Sequence, residues 1–140
     1  MISDIIERLQ ALPEFLAVSG AAGFASAADP TTGKPRAVPA AFVLRLSESG
    51  EPSLTYMRAE QRVSVAVGIV IVARNLQDAK GAEAIADLDA LRAASRTALL
   101  GWAPPNADPL IFDSGSLLAF KNGNVWWQDS YRTHTDIIQS

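Results

Sequence analysis

Residues Asn124 to Ile137 read NVWWQDSYRTHTDI, one stretch that holds two tryptophans, two aspartates, a serine, an arginine and the chain's single histidine. These are the residue types of nucleophilic catalysis, in which an imidazole oriented by a carboxylate takes a proton from a serine. If the stretch is a strand, Trp126, Gln128, Ser130, Arg132, His134 and Asp136 point one way. Val125, Trp127, Asp129, Tyr131, Thr133, Thr135 and Ile137 then point the other. Ser130, His134 and Asp136 therefore share a face. Residues four apart on a strand are nevertheless about 13 Å apart, beyond hydrogen-bond reach. The spacing fails for Ser130, and only a serine from elsewhere in the chain could complete a triad with His134.

No G-x-S-x-G elbow, phosphate-binding glycine loop, H-E-x-x-H helix or H-x-E deaminase signature occurs in the sequence. A lone histidine with scattered carboxylates is a poor transition-metal set, which leaves an oxygen-ligand site at a subunit contact as the one metal option. The plain reading of His134 is a solvated residue at a strand end, and no cofactor is implied. With no cysteine there is no disulfide, thiolate nucleophile or cysteine-ligated metal.

The elements that must position these residues are readable from periodicity. At 140 residues, 49% apolar and 19% charged, the chain suits one folded domain over 1–140. Its net charge of −3 argues against a protein that coats nucleic acid through a basic stripe. The N-terminus lacks the pattern of a signal peptide, and the most apolar run, Val63 to Ala73, is too short to span a bilayer as a helix. Synthesis in a reducing cytoplasm is expected.

Ser3 is a candidate cap for a first helix carrying Ile5, Ile6, Leu9 and Leu12, ended by Pro13. A brief strand is expected at Phe15 to Val18, then a short helix or compact loop in GAAGFASAAD. From Val38 to Leu46 apolar residues alternate, with Val38, Ala40, Phe42, Leu44 and Leu46 forming the better core face. Residues 47–60, SESGEPSLTYMRAE, read as a long loop. The clearest strand is QRVSVAVGIVIVAR, whose second half is apolar on both faces and belongs at the centre of a sheet. Asp78 can cap a helix running to about Leu100, with Ile85, Leu88, Leu91, Ser95, Ala98, Leu99 and Trp102 on one stripe and Gly101 and Pro104-Pro105 at its end. Asn122-Gly123 marks a hairpin that sets Phe120 opposite Val125, Ala119 opposite Trp126 and Leu118 opposite Trp127. The fold class is α+β: a mixed or antiparallel sheet of about four to five strands with two main helices packed on one face.

Trp127 shares a face with Val125 and Phe120 and reads as core. Two readings of Trp126 stay open: an anchor between subunits, or a side chain covered by a helix. The 47–60 loop is either a solvated turn or a contact arm, and Tyr56 and Met57 favour contact. Arg58 and Arg62 are either exposed ion pairs or contacts to acidic groups on a neighbour.

The runs AAFVLRLSE, QRVSVAVGIVIVARN, LDALRAASRTALLGWAPP and PLIFDSGSLLAFKNGNVWWQD, spanning Pro39 to Asp129, together resemble the tail terminator, or tail completion, proteins of long-tailed bacteriophages, in particular the Mu-like siphophage set. The ordered series Phe42-Val43-Leu44, Gln61-Arg62-Val63, Leu99-Leu100-Gly101-Trp102 and Trp126-Trp127-Gln128-Asp129 carries the likeness. It implies a structural virion subunit, not an enzyme, that forms a homohexameric ring on the last ring of the tail tube. Such a ring stops tube polymerisation and offers the surface on which the head connector docks, while genomic DNA passes through its lumen unbound. The partners implied are the subunit itself, the tail tube protein and a head completion or connector protein. Tyr56, Met57, Arg58, Arg62 and Trp126 are the candidate interaction residues. The alternatives are a small α+β enzyme using His134 and another head–tail neck or adaptor protein.

Overall fold

The computed structural model describes residues 1–31, 33–35, 37–52, 59–74 and 82–139, with residues 59, 82–86, 138 and 139 described by their backbone alone. In chain order the elements are α1 (Ile2–Gln10), β1 (Ala17–Ser19), α2 (Ala21–Ala27), β2 (Ala40–Gly50), β3 (Ala59–Arg74), α3 (Ala82–Leu99), β4 (Ile111–Lys121) and β5 (Asn124–Gln139). The five strands form one sheet in the order β1-β2-β3-β5-β4. The short β1 runs parallel to β2, and every other pairing is antiparallel. As its valine-rich pattern requires, β3 is central, paired along its length with β5 from Ala59↔Gln139 to Arg74↔Asn124.

Helices α1 and α3 cover one face. Ile5 and Leu9 of α1 and Leu88, Leu91 and Leu99 of α3 bury against Val43, Val65, Val67, Ile69, Ile71 and Tyr131. These α3 residues fall on the stripe the periodicity predicts, and Gly101 ends the helix in the left-handed conformation (φ 80°) that a side chain would resist. On the other face the segment GAAGFASAAD does form a helix, α2. It covers Phe42, Val70, Val72 and Trp126. The Phe42 and Trp126 rings stack at 6.3 Å with an interplanar angle of 7°, and Phe24 meets both edge-on. The α+β class and the two main helices on one face agree with the sequence reading, and α2 adds a third on the opposite face.

Several local expectations change. The N-cap of α1 is Met1, not Ser3: the helix starts at Ile2, and the Met1 ammonium group pairs with Asp4 at 3.2 Å. Strand β2 buries both faces, with Ala41 and Val43 towards α1 and Ala40 and Phe42 towards α2, because helices lie on either side of it. It also continues to Gly50, and β3 begins at Ala59, so the connection is shorter than the 47–60 loop expected from its polar composition. Tyr56, Met57, Arg58 and the proposed cap Asp78 lie outside the described residues. The hairpin turns at Asn122 (φ 54°) and Gly123 (φ 74°), both left-handed as a type I′ turn demands. Its register matches at Phe120↔Val125 and Ala119↔Trp126, then a bulge at Leu118 sets Leu117 opposite Trp127.

Tyr131 is fully buried in the main core, and its ring meets Phe112 edge-on at 5.7 Å. Burial pushes its phenol above the ordinary value of 10. A proton held more tightly in the folded state stabilises the fold fully below the unfolded value and is lost as pH climbs past it. Tyr131→Phe is therefore expected to flatten the loss of stability from about pH 10 upward, read from urea unfolding midpoints.

Candidate assembly surface

The residues that drew attention as chemistry are occupied in holding the fold. Asp129 is fully buried and accepts from Arg92 of α3 through Nη2 (2.8 Å) and Nε (3.0 Å), and from Trp127 Nε1 (2.9 Å). The Arg92 guanidinium also lies over the Trp127 ring, 4.5 Å from its centroid. The hydrogen bonds to Asp129 raise the Arg92 pKa above its already high range, against the opposing effect of burial. This is a clamp of α3 onto the sheet. Gly115 sits opposite Asp129 because a Cβ there would lie 2.6 Å from the carboxylate oxygen.

His134 shares the Ser130 face as the alternation predicts, but its nitrogens face carboxylates, Glu51 at 3.4 Å and Asp108 at 4.0 Å. Neither contact is to a serine. Among the described residues there is no group of three or more histidine, cysteine or acidic side chains able to hold a metal. The expected solvated strand end is not where His134 lies: β5 continues to Gln139, and the side chain is half-buried. His134→Ala is expected to leave folding stability within about 0.5 kcal/mol and assembly unchanged, because its contacts are to exposed carboxylates; a large loss in either measurement would give His134 a role.

Arg62 is engaged within its own chain. Its guanidinium meets Asp108 and, at 3.4 Å, Asp136, tying β3 and the end of β5 to the segment before β4. That segment is held further by Thr133 Oγ1 donating to the Asp108 carbonyl (2.6 Å) and by the Asp108 N–H donating to the His134 carbonyl (2.9 Å). Trp126 is 4% exposed beneath α2, so this subunit offers almost none of it to a neighbour. The helix-covered reading describes its position.

What the fold leaves open is β4. It is an edge strand of eleven residues, and Ile111, Phe112, Leu117, Leu118 and Phe120 are all exposed, Phe120 by 57%. Long, apolar, unprotected edges are rare in proteins that stay single, because the unpaired N–H and C=O groups recruit another strand. The sequence shows two partly apolar faces on this hairpin but not its edge position.

Comparison with known proteins decides which class of protein owns this surface. The family profile described as phage tail terminator protein matches residues 2–140. The chain belongs to the phage tail terminator family. Among solved structures, 33 chains match. One is a chain from the virion of a native gene transfer agent particle, with TM-score 0.60 and 14% identity, covering 95% of this chain and 92% of that one. At that identity the likeness shows a shared fold. No curated protein sequence matches. Membership of the tail terminator family makes the chain a tail structural protein of a phage-type virion, and none of its described helices is long and apolar enough to cross a membrane.

Proposed function

We propose that this subunit joins copies of itself in a ring, six by the family resemblance, that caps the last ring of the tail tube. The ring ends tube polymerisation and presents the surface on which the head completion or connector protein docks. The observation that carries this reading is the exposed apolar β4 edge on a member of the tail terminator family, a surface that needs a protein partner. No catalytic constellation among the described residues competes with it, since Asp129 and Arg92 are committed to each other and His134 faces carboxylates.

A ring at this position must let DNA through without holding it. The part of the sheet beyond α2 is suited to such a passage, because Gln128, Arg132, His134 and Asp136 share its face and Arg132 is paired with Asp113 at 3.3 Å. With a net charge of −3, the subunit has no excess positive charge to draw phosphates. We assign this polar half-face to the lumen side.

The test is tail length. Particles assembled without the protein should carry tails of irregular, excessive length that do not join heads, and supplying the protein should restore both. Tails of normal length that merely lack heads would instead make it a neck or adaptor protein.

A further inference from the structure

The exposed large apolar side chains are concentrated on the two sides of the sheet. Five lie on β4 and Leu16 lies at the β1/β2 side, while Leu46 of β2 packs inward over Gly68 of β3; of the described residues so exposed, Leu100 and Ile137 are the remainder. Leu16 is 68% exposed and anchored beside β2 by its N–H, which donates to the Pro39 carbonyl at 2.8 Å. The second side is also open in its backbone. Strand β1 pairs with β2 at Ala40, Ala41 and Phe42 alone, so among the described residues no strand lies against the outer side of β2 from Leu44 to Gly50.

From these two edges we infer that β4 of one copy pairs antiparallel with the Leu44–Gly50 half of β2 in the next, so that the sheet continues from subunit to subunit. This inference rests on the ring reading and specifies its contact.

Strand direction supports it. Going from β2 to β3, β5 and β4 the sheet reverses three times, so β2 and β4 run in opposite senses. Rotation about a ring axis leaves the sense of each strand unchanged in a sheet that encircles the axis. The β4 strand of one copy therefore meets the next copy's β2 antiparallel, with no flip of the subunit. Residues 44–50 present about 23 Å of edge against about 36 Å for β4, so about seven of the eleven β4 residues can pair, with the rest extending past Gly50 because β1 occupies the other end. A twofold pairing of β4 with β4 would close at two subunits and leave the open β2 edge unpaired. Heterologous pairing satisfies both open strand edges with one repeated contact.

The absence of cysteine makes the test clean. Ser114→Cys and Ser116→Cys place single thiols on β4, and Ser47→Cys and Ser49→Cys place them on β2, all at exposed serines. Pairs of variants are mixed on tail tubes of the same particle and treated with a short bis-maleimide, which tolerates a register offset of about two residues. Mixtures of a β4 variant with a β2 variant should yield linked dimers, neither variant alone should, and a chain carrying both thiols should give a ladder ending at the ring size. Linkage by a β4 variant alone would overturn the inference. Rings seen on tube ends while no β4–β2 mixture links would also overturn it and leave the ring reading standing. If no ring forms at all, the ring reading fails and this pairing with it.

Discussion

Replacing Asp129 by alanine is expected to cost about 3–5 kcal/mol of folding stability, read from urea unfolding midpoints. The carboxylate is fully buried and takes hydrogen bonds from Arg92 and Trp127. Its removal leaves a guanidinium and an indole N–H without their acceptor. Because Arg92 keeps 21% of its side-chain surface, water can reach part of it, which places the loss towards the lower end. The double variant Arg92→Met with Asp129→Leu should lose much less than Asp129→Ala alone, since filling the site with apolar side chains removes the stranded charge. Equal losses in the single and double variants would mean that the pair does not hold α3 to the sheet.

The second large effect is on assembly. Leu118→Asp combined with Phe120→Asp places two charges on exposed positions of β4. The free subunit should lose about 1 kcal/mol or less, because neither side chain is buried within it. Binding to tube ends should weaken by about a thousandfold, on the scale of two interface residues at about 2 kcal/mol each and 1.4 kcal/mol per tenfold. Trp126→Asp is the instructive contrast. That side chain is 4% exposed, stacked on Phe42 beneath α2, so its loss of assembly should come with loss of the fold itself, visible as a collapsed melting transition. Unchanged tube binding by the β4 variant would remove that edge from the interface.

Much of the architecture was legible because burial imposes periodicity. The valine alternation of β3 requires a central strand, the Leu88, Leu91, Ser95, Leu99 stripe requires a helix lying on the sheet, and Asn122-Gly123 requires a tight hairpin. What escaped depends on contacts distant in sequence. Both faces of β2 are buried because α1 and the short α2 lie on either side of it, and nothing local announces the second cover. The bulge at Leu118 changes the partner of Trp127 without a glycine or proline to mark it. The surface proved harder still. Trp126, large and amphipathic, suited an anchor and a helix-covered side chain equally, and only the packing of α2 shows that it is buried within its own chain. For Arg62 the sequence left exposed ion pairs and contacts to a neighbour both open, because its partners, Asp108 and Asp136, come from segments far along the chain. The exposed apolar row from Ile111 to Phe120 acquires meaning only once β4 is known to be an edge, which is a property of strand order and not of composition.

Self-assembly at the end of a tail tube is the central claim, and one measurement tests it most directly. Mass by light scattering is taken on the purified protein with and without assembled tail tubes of its own particle, and the same samples are imaged in negative stain. Rings of six subunits on tube ends are the expected result. A monomer or dimer that never occupies a tube end, at any ratio of subunit to tube, would contradict the claim.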